Sequence, residues 1–145
     1  MRTGKIIISA ITFLLISTSL FAQTKKTVIM TGLEMVPDIH TPATGGGEVW
    51  VESDTLYVRL EFENLKAPYY SANIHFGEEG ENGNPIYKLN PVLSENHRSG
   101  AFDPETNKFA LSDAMKEAYE NGNLYVNIAS DRHKRGEIRG QIDKY

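Results

Sequence analysis

The chain has 145 residues, a formal net charge of −4, 40% hydrophobic residues and no cysteine. Its acidic balance argues against nucleic acid as a partner, because phosphate binding needs clustered Lys and Arg, and it equally disfavours docking on anionic lipid. Without cysteine, an exported domain of this size must hold together by its core alone and has no thiol chemistry.

Arg2 and Lys5 precede an uncharged, largely apolar run from Ile6 to Phe21, and Ala22 then stands before Gln23, Lys25 and Lys26. A basic start, an apolar middle and a small residue at the cut predict a signal peptide over residues 1–22. The run falls short of the roughly 20 apolar residues of a retained span, and Ser17, Thr18 and Ser19 dilute it. Residues 23–145 are therefore expected as one exported domain, periplasmic or secreted, with no stable membrane insertion after cleavage. That length suffices for a single core.

The first strand candidate is Thr27 to Thr31, followed by a loop rich in Gly and Thr from Pro42 to Gly47. Gly47 to Ser53 alternates, with Val49 and Val51 on one face and Glu48, Trp50 and Glu52 on the other. Leu56 to Phe62 alternates again, and the two runs joined by Ser53-Asp54 predict a β-hairpin. Ser71 to Phe76, Ile86 to Leu89, Lys108 to Leu111, Leu124 to Ile128 and Gly136 to Asp143 complete the strand set. Gly77 to Pro85 and Asp103 to Asn107 are the turns between them. Ser112 to Gly122 breaks the rhythm. Ser112 suits an N-cap, Gly122 suits the left-handed C′ position, and Ala114, Met115, Ala118 and Tyr119 recur at helical spacing. The pattern predicts a mostly β fold: an antiparallel, Greek-key-like β-sandwich or barrel with one short helix at about 113–121.

Among residues able to carry chemistry, His75 is the candidate metal ligand, since Zn²⁺ or Cu²⁺ would take a neutral imidazole. His40 and His97 fall in loops and His133 in a basic turn, none at ligand spacing from His75. The expected role of His75 is therefore a hydrogen-bonded structural one, and no cofactor is expected. The acidic Gly-rich loop Glu78 to Asn84 lacks the pattern of a calcium loop, and so does the Asp103, Glu105 and Asn107 series. Glu137 and Arg139, two apart on a strand, share a face. They are expected as a structural ion pair in a polar network with Glu34 and Asn127. Trp50, Tyr57, Tyr69 and Tyr70 are the candidate binding surface. No G-x-S-x-G or other nucleophilic signature is present.

Three stretches carry a family resemblance. They are T-G-L-E-M-V-P with T-P-A-T-G (Thr31 to Gly45), A-N-I-H-F-G-E-E-G-E-N-G (Ala72 to Gly83), and G-N-L-Y-V-N-I with R-G-E-I-R-G-Q-I (Gly122 to Ile142). In that order they resemble the CHRD domain, the module found in chordin and in many bacterial secreted proteins. The resemblance implies a β-sandwich-like extracellular domain with no established enzymatic activity. Where the family tends to have H-x-H, this chain has Asn73-Ile74-His75, and Ala129 stands where another His often follows. The reading that results is a non-enzymatic exported module binding protein or surface glycan. The alternative is a metal-binding protein, loosely resembling copper–zinc superoxide dismutase, that uses His75.

Overall fold

A computed structural model describes residues 24–145; the expected signal peptide lies outside them. The ten strands are β1 (Lys26–Thr31), β2 (Thr44–Glu52), β3 (Thr55–Glu63), β4 (Tyr69–Phe76), β5 (Pro85–Lys88), β6 (Val92–Leu93), β7 (Gly100–Phe102), β8 (Lys108–Ala110), β9 (Leu124–Ser130) and β10 (Ile138–Ile142), with helix α1 (Asp113–Asn121) between β8 and β9. All strand pairs are antiparallel, in the order β5-β4-β9-β10-β1-β2-β3-β7-β6, with β8 also on β3. The expected mostly β fold with one short helix is therefore present. Its architecture is a single hydrogen-bonded sheet curled into a half-barrel.

The β2–β3 hairpin forms as its alternation predicts. Ser53 and Asp54 both adopt positive φ, 47° and 63°, the left-handed pair that matches strand twist in a two-residue turn. The loop expected over Pro42 to Gly47 is shorter than that, because Thr44 to Gly47 belongs to β2 and pairs with both β1 and β3. A side chain at Gly45 would meet the Met30 methyl at 2.6 Å and the Glu61 carbonyl at 2.7 Å. Glycine here is what lets a central strand pass through a crowded bend, rather than a mark of a loop. Strands β6 and β7 were not expected; they are too short to show alternation.

The concave side holds one cluster that includes Val28, Val49, Leu60, Ile74, Val126 and Ile138, all at 0–1% exposure. Helix α1 packs on it through Ala118 and Tyr119. Its ends form as the sequence predicts. Ser112 Oγ accepts from the Met115 amide, and Gly122 closes the helix at φ 76°.

The half-barrel has a seam where its edges approach. Tyr87 of β5 stacks on Phe109 of β8 with ring centroids 4.8 Å apart. Asn107 is fully buried there. Its Oδ1 accepts from the Asn90 amide at 2.7 Å, and its Nδ2 donates to the carbonyls of Asn90 and Asp103, both at 3.0 Å. The Asp103 to Asn107 spacing thus serves to join two edges that share no backbone ladder. Asn107→Ala removes all three bonds and leaves the Asn90 amide and carbonyl without this partner across the seam. We predict a loss of about 2–3 kcal/mol in urea unfolding, with the change falling on the midpoint and not on the slope.

Candidate functional site

Strands β9 and β10 bury both faces, and β4 beside them buries Ala72 and Ile74 and half-buries Asn73 and His75. Ile74, Val126, Ile128 and Ile138 face the core, so their neighbours must face the other way. The register places Asn73 opposite Asn127, His75 opposite Tyr125, Arg139 opposite Asn127 and Gln141 opposite Tyr125. This second face is polar, yet every residue of β9 and β10 is buried. The cover comes from two loops, residues 32–43 and 77–84.

Side chains of the sheet hold these loops by their backbones. Arg139, 1% exposed, donates to the carbonyls of Glu81 at 2.7 Å and Glu78 at 2.9 Å, and to Gln141 Oε1 at 3.0 Å. Gln141 Nε2 donates to the carbonyls of Gly77 at 2.9 Å and Gly122 at 2.8 Å. The Gly83 amide donates to the Tyr125 hydroxyl at 3.0 Å. Asn82 ties one loop to the other through the Val36 carbonyl at 2.8 Å.

Glu137 anchors the 32–43 loop and a neighbouring turn. It accepts from Thr41 Oγ1 and Ser130 Oγ, both at 2.5 Å, and from the Lys66 amide at 2.9 Å. Burial pushes the Glu137 carboxyl up, but these donors, with His133 nearby, outweigh it and hold its pKa below the ordinary value.

The expected ion pair between Glu137 and Arg139 does not form, because each is committed to different loop groups. Among the described residues no carboxylate pairs with Arg139. Burial lowers its pKa, opposed by Tyr125, Glu34 and Glu79. Glu34 is exposed and reaches the network only through space. The guanidinium carbon also sits 3.6 Å from the centre of the Tyr125 ring.

His75 stacks on the same Tyr125, 4.9 Å between centroids. Its Nδ1 lies 3.0 Å from the Gly83 carbonyl. A carbonyl only accepts, so Nδ1 carries the proton and Nε2 presents a lone pair. Burial lowers the His75 pKa, the Gly83 bond opposes that, and Arg139 adds to it; the ring is neutral at pH 7. Nε2 is buried and has no partner, and the same holds for Asn127 Oδ1 and His133 Nε2. Asn127 is oriented by its Nδ2, which donates to the Arg135 carbonyl at 2.8 Å. Gly136 makes room for it: at φ 139°, a side chain there would collide with Asn127 Oδ1 and the Met35 methyl.

All three unpartnered residues line one cleft of about 600 Å³. Arg139 and Tyr125 share its floor, Lys134 and Arg135 its rim, and Met35, Val36, Pro37 and Ile39 its apolar wall. The sequence placed His133 away from His75; the turn after β9 brings both into this cleft. No group of three or more His, Cys, Asp or Glu side chains is placed to hold a metal among the described residues.

The four aromatic residues do not share one surface. Trp50 is 7% exposed, stacked on Tyr57 at 5.4 Å and flanked by Lys25 and Arg59. Tyr69 stacks on Phe62 at 5.8 Å, and burial, opposed by a bond to the Ala72 backbone, pushes its hydroxyl up to about 12. Tyr70 alone of the four is largely exposed, with Lys134 Nζ 5.3 Å from its ring centre.

No helix among the described residues is long and apolar enough to cross a membrane. A family model, the CHRD domain, matches residues 26–142. No curated protein and no solved structure matches the chain.

Two outcomes test the anchoring. Because the folded Glu137 carboxyl titrates below its ordinary value of 4.5, its stabilisation is complete above the unfolded value and disappears as pH falls through the folded one. Thermal melts at descending pH will show a steeper loss below pH 4.5 for the wild type than for Glu137→Gln. Arg139→Met leaves the Glu81 carbonyl without its donor and the Glu78 carbonyl with the Glu81 amide alone. We expect a cost of about 2 kcal/mol or more, with faster amide exchange confined first to residues 78–83.

Proposed function

The chain belongs to the CHRD domain family, and from that premise we propose that it is a non-enzymatic exported module that binds a protein or surface glycan through the loop-covered cleft of β4, β9 and β10. Residues 1–22 act as the signal peptide and 23–145 as the working domain, released to the periplasm or beyond. The observation that carries the binding reading is the convergence of three unpartnered buried polar atoms, on His75, Asn127 and His133, in one cleft. Native proteins pair nearly all such groups, so three together ask for an occupant that supplies the missing bonds. The non-enzymatic reading is supported by how the nearby polar residues are used. Arg139, Gln141 and Glu137 are engaged by loop backbone and hydroxyl groups and stay with architecture.

A second reading has one observation in its favour. A histidine whose Nδ1–H is held by a carbonyl while Nε2 presents its lone pair is oriented as metal-bound imidazoles are. The Arg139 charge, close enough to lower the His75 pKa, works against a cation there.

The two readings separate in one set of measurements on the exported protein. N-terminal sequencing is expected to start at Gln23, and elemental analysis to find no stoichiometric transition metal. Adding fractionated envelope glycans and proteins is expected to shift NMR signals at His75, Asn127 and His133. A bound metal lost in His75→Ala would reverse the ranking, and signal changes mapping elsewhere would remove the cleft from the reading.

A further inference from the structure

The cleft differs in charge from the rest of the molecule. The chain is net acidic, but the cleft's charged lining is Arg139, Lys134 and Arg135, with no carboxylate. Three nearby carboxylates are engaged or act from a distance. Glu34 and Glu79 act on Arg139 only through space, and Glu137, near His133, is held by Thr41, Ser130 and Lys66. Neither Lys134 nor Arg135 has an acidic partner among the described residues. Such a low-acid, basic recess draws an anion.

Charge alone does not describe the occupant. The orientation of His75 fixes Nε2 as an acceptor, and the bond from Asn127 Nδ2 to Arg135 fixes Oδ1 as another. Asn127 is only 9% exposed, and neither acceptor has a donor. A carboxylate, sulfate or phosphate group by itself brings acceptors and leaves both lone pairs unmet. The occupant must therefore carry O–H or N–H donors beside its negative group. The wall of Met35, Val36, Pro37 and Ile39 adds a third requirement, a face rich in C–H. At about 600 Å³, the cleft is within the roughly 300–1,000 Å³ range of small-ligand sites.

We propose that the cleft binds a hydroxylated carboxylate, the acidic sugar unit of a glycan, an inference that rests on the binding reading above. The carboxylate lies against Lys134 and Arg135, hydroxyls donate to His75 Nε2 and Asn127 Oδ1, and the ring's C–H face lies on the apolar wall. The Met35 methyl sits beside Asn127 Oδ1 over Gly136, and this flexible thioether is what a ligand hydroxyl displaces. The exposed Tyr70 ring beside Lys134 extends the site toward a neighbouring sugar. A neutral sugar would leave the cations bare, and an acidic peptide, though its amides can donate, brings no C–H ring face to the wall of Met35, Val36, Pro37 and Ile39.

The test titrates the full exported protein with hexagalacturonate, galacturonate, maltohexaose and a hexaglutamate peptide, using calorimetry and NMR at low salt. Hexagalacturonate is expected to bind and to move the signals of His75, Asn127 and Met35, with maltohexaose and hexaglutamate at least tenfold weaker. The exposed double variant Lys134→Ala/Arg135→Ala is expected to keep the wild-type melting temperature and to lose tenfold or more in affinity. Asn127→Asp, which sets a negative charge where the hydroxyl acceptor stood, is expected to lose at least as much. Galacturonate binding as tightly as the hexamer would assign the site to a free sugar acid, and weaker binding to a polymer; both retain the acidic-sugar class. Equal binding of maltohexaose, tighter binding of hexaglutamate, or signals moving away from the cleft would overturn that class. If these probes fail while envelope fractions still shift His75, Asn127 and His133, only the sugar assignment falls. If neither acts on the cleft, the binding reading falls with it.

Discussion

Buried backbone carbonyls must be paired, and in this molecule that requirement shapes everything on the outer side of β4, β9 and β10. The loop 77–84 runs across a sheet face and cannot extend the ladder there. Glu78 accepts from the Glu81 amide, but the carbonyls of Gly77, Glu81 and Gly83 would lose water without gaining a main-chain partner, at a cost of about 1–3 kcal/mol each where buried. Arg139, Gln141 and His75 meet them from a rigid strand surface. A guanidinium suits the task because its planar fork serves several carbonyls at once. It also explains how a cation can be buried without a carboxylate, since carbonyl dipoles and the Tyr125 ring face take the counterion's place.

The same device compensates for the lack of cysteine. A small exported domain often staples its loops with disulfides. Here Arg139 and Gln141 fasten 77–84, Glu137 fastens the 32–43 loop, and Asn107 fastens the seam between the curled edges. Each anchor is a polar side chain at 0–8% exposure, held by several hydrogen bonds rather than one. Polar residues inside this fold are structural fasteners first, and the cleft is the place where fastening is left incomplete.

That incompleteness gives the candidate site its character. Two strands supply His75 and Asn127, a turn supplies His133, and the Met35 methyl lies beside Asn127 over Gly136. His75 and Asn127 are oriented by their second bonds, to Gly83 and Arg135, so their unmet valences point in fixed directions. Burial lowers the His75 pKa, and the carbonyl of Gly83 holds the one proton of the neutral ring.

Much of the fold was legible in the chain. Period-two alternation announces β2, β3, β4 and β9, and the Ser112 and Gly122 caps bound the helix, because these signals depend only on neighbours in sequence. Thr44–Gly47 reads as loop in the chain because glycine looks alike in a turn and in a crowded strand; the closeness of Met30 and Glu61 tells them apart. The CHRD resemblance likewise lay in short ordered motifs. What the tertiary structure decided is which polar residues meet. Glu137 and Arg139 stand two apart, one just before β10 and one within it, but serve different loops, whereas His75 and His133, 58 positions apart in the chain, share one cleft. Sequence spacing sets the face on which a side chain emerges, but the curl of the sheet and the path of the loops set what it finds there.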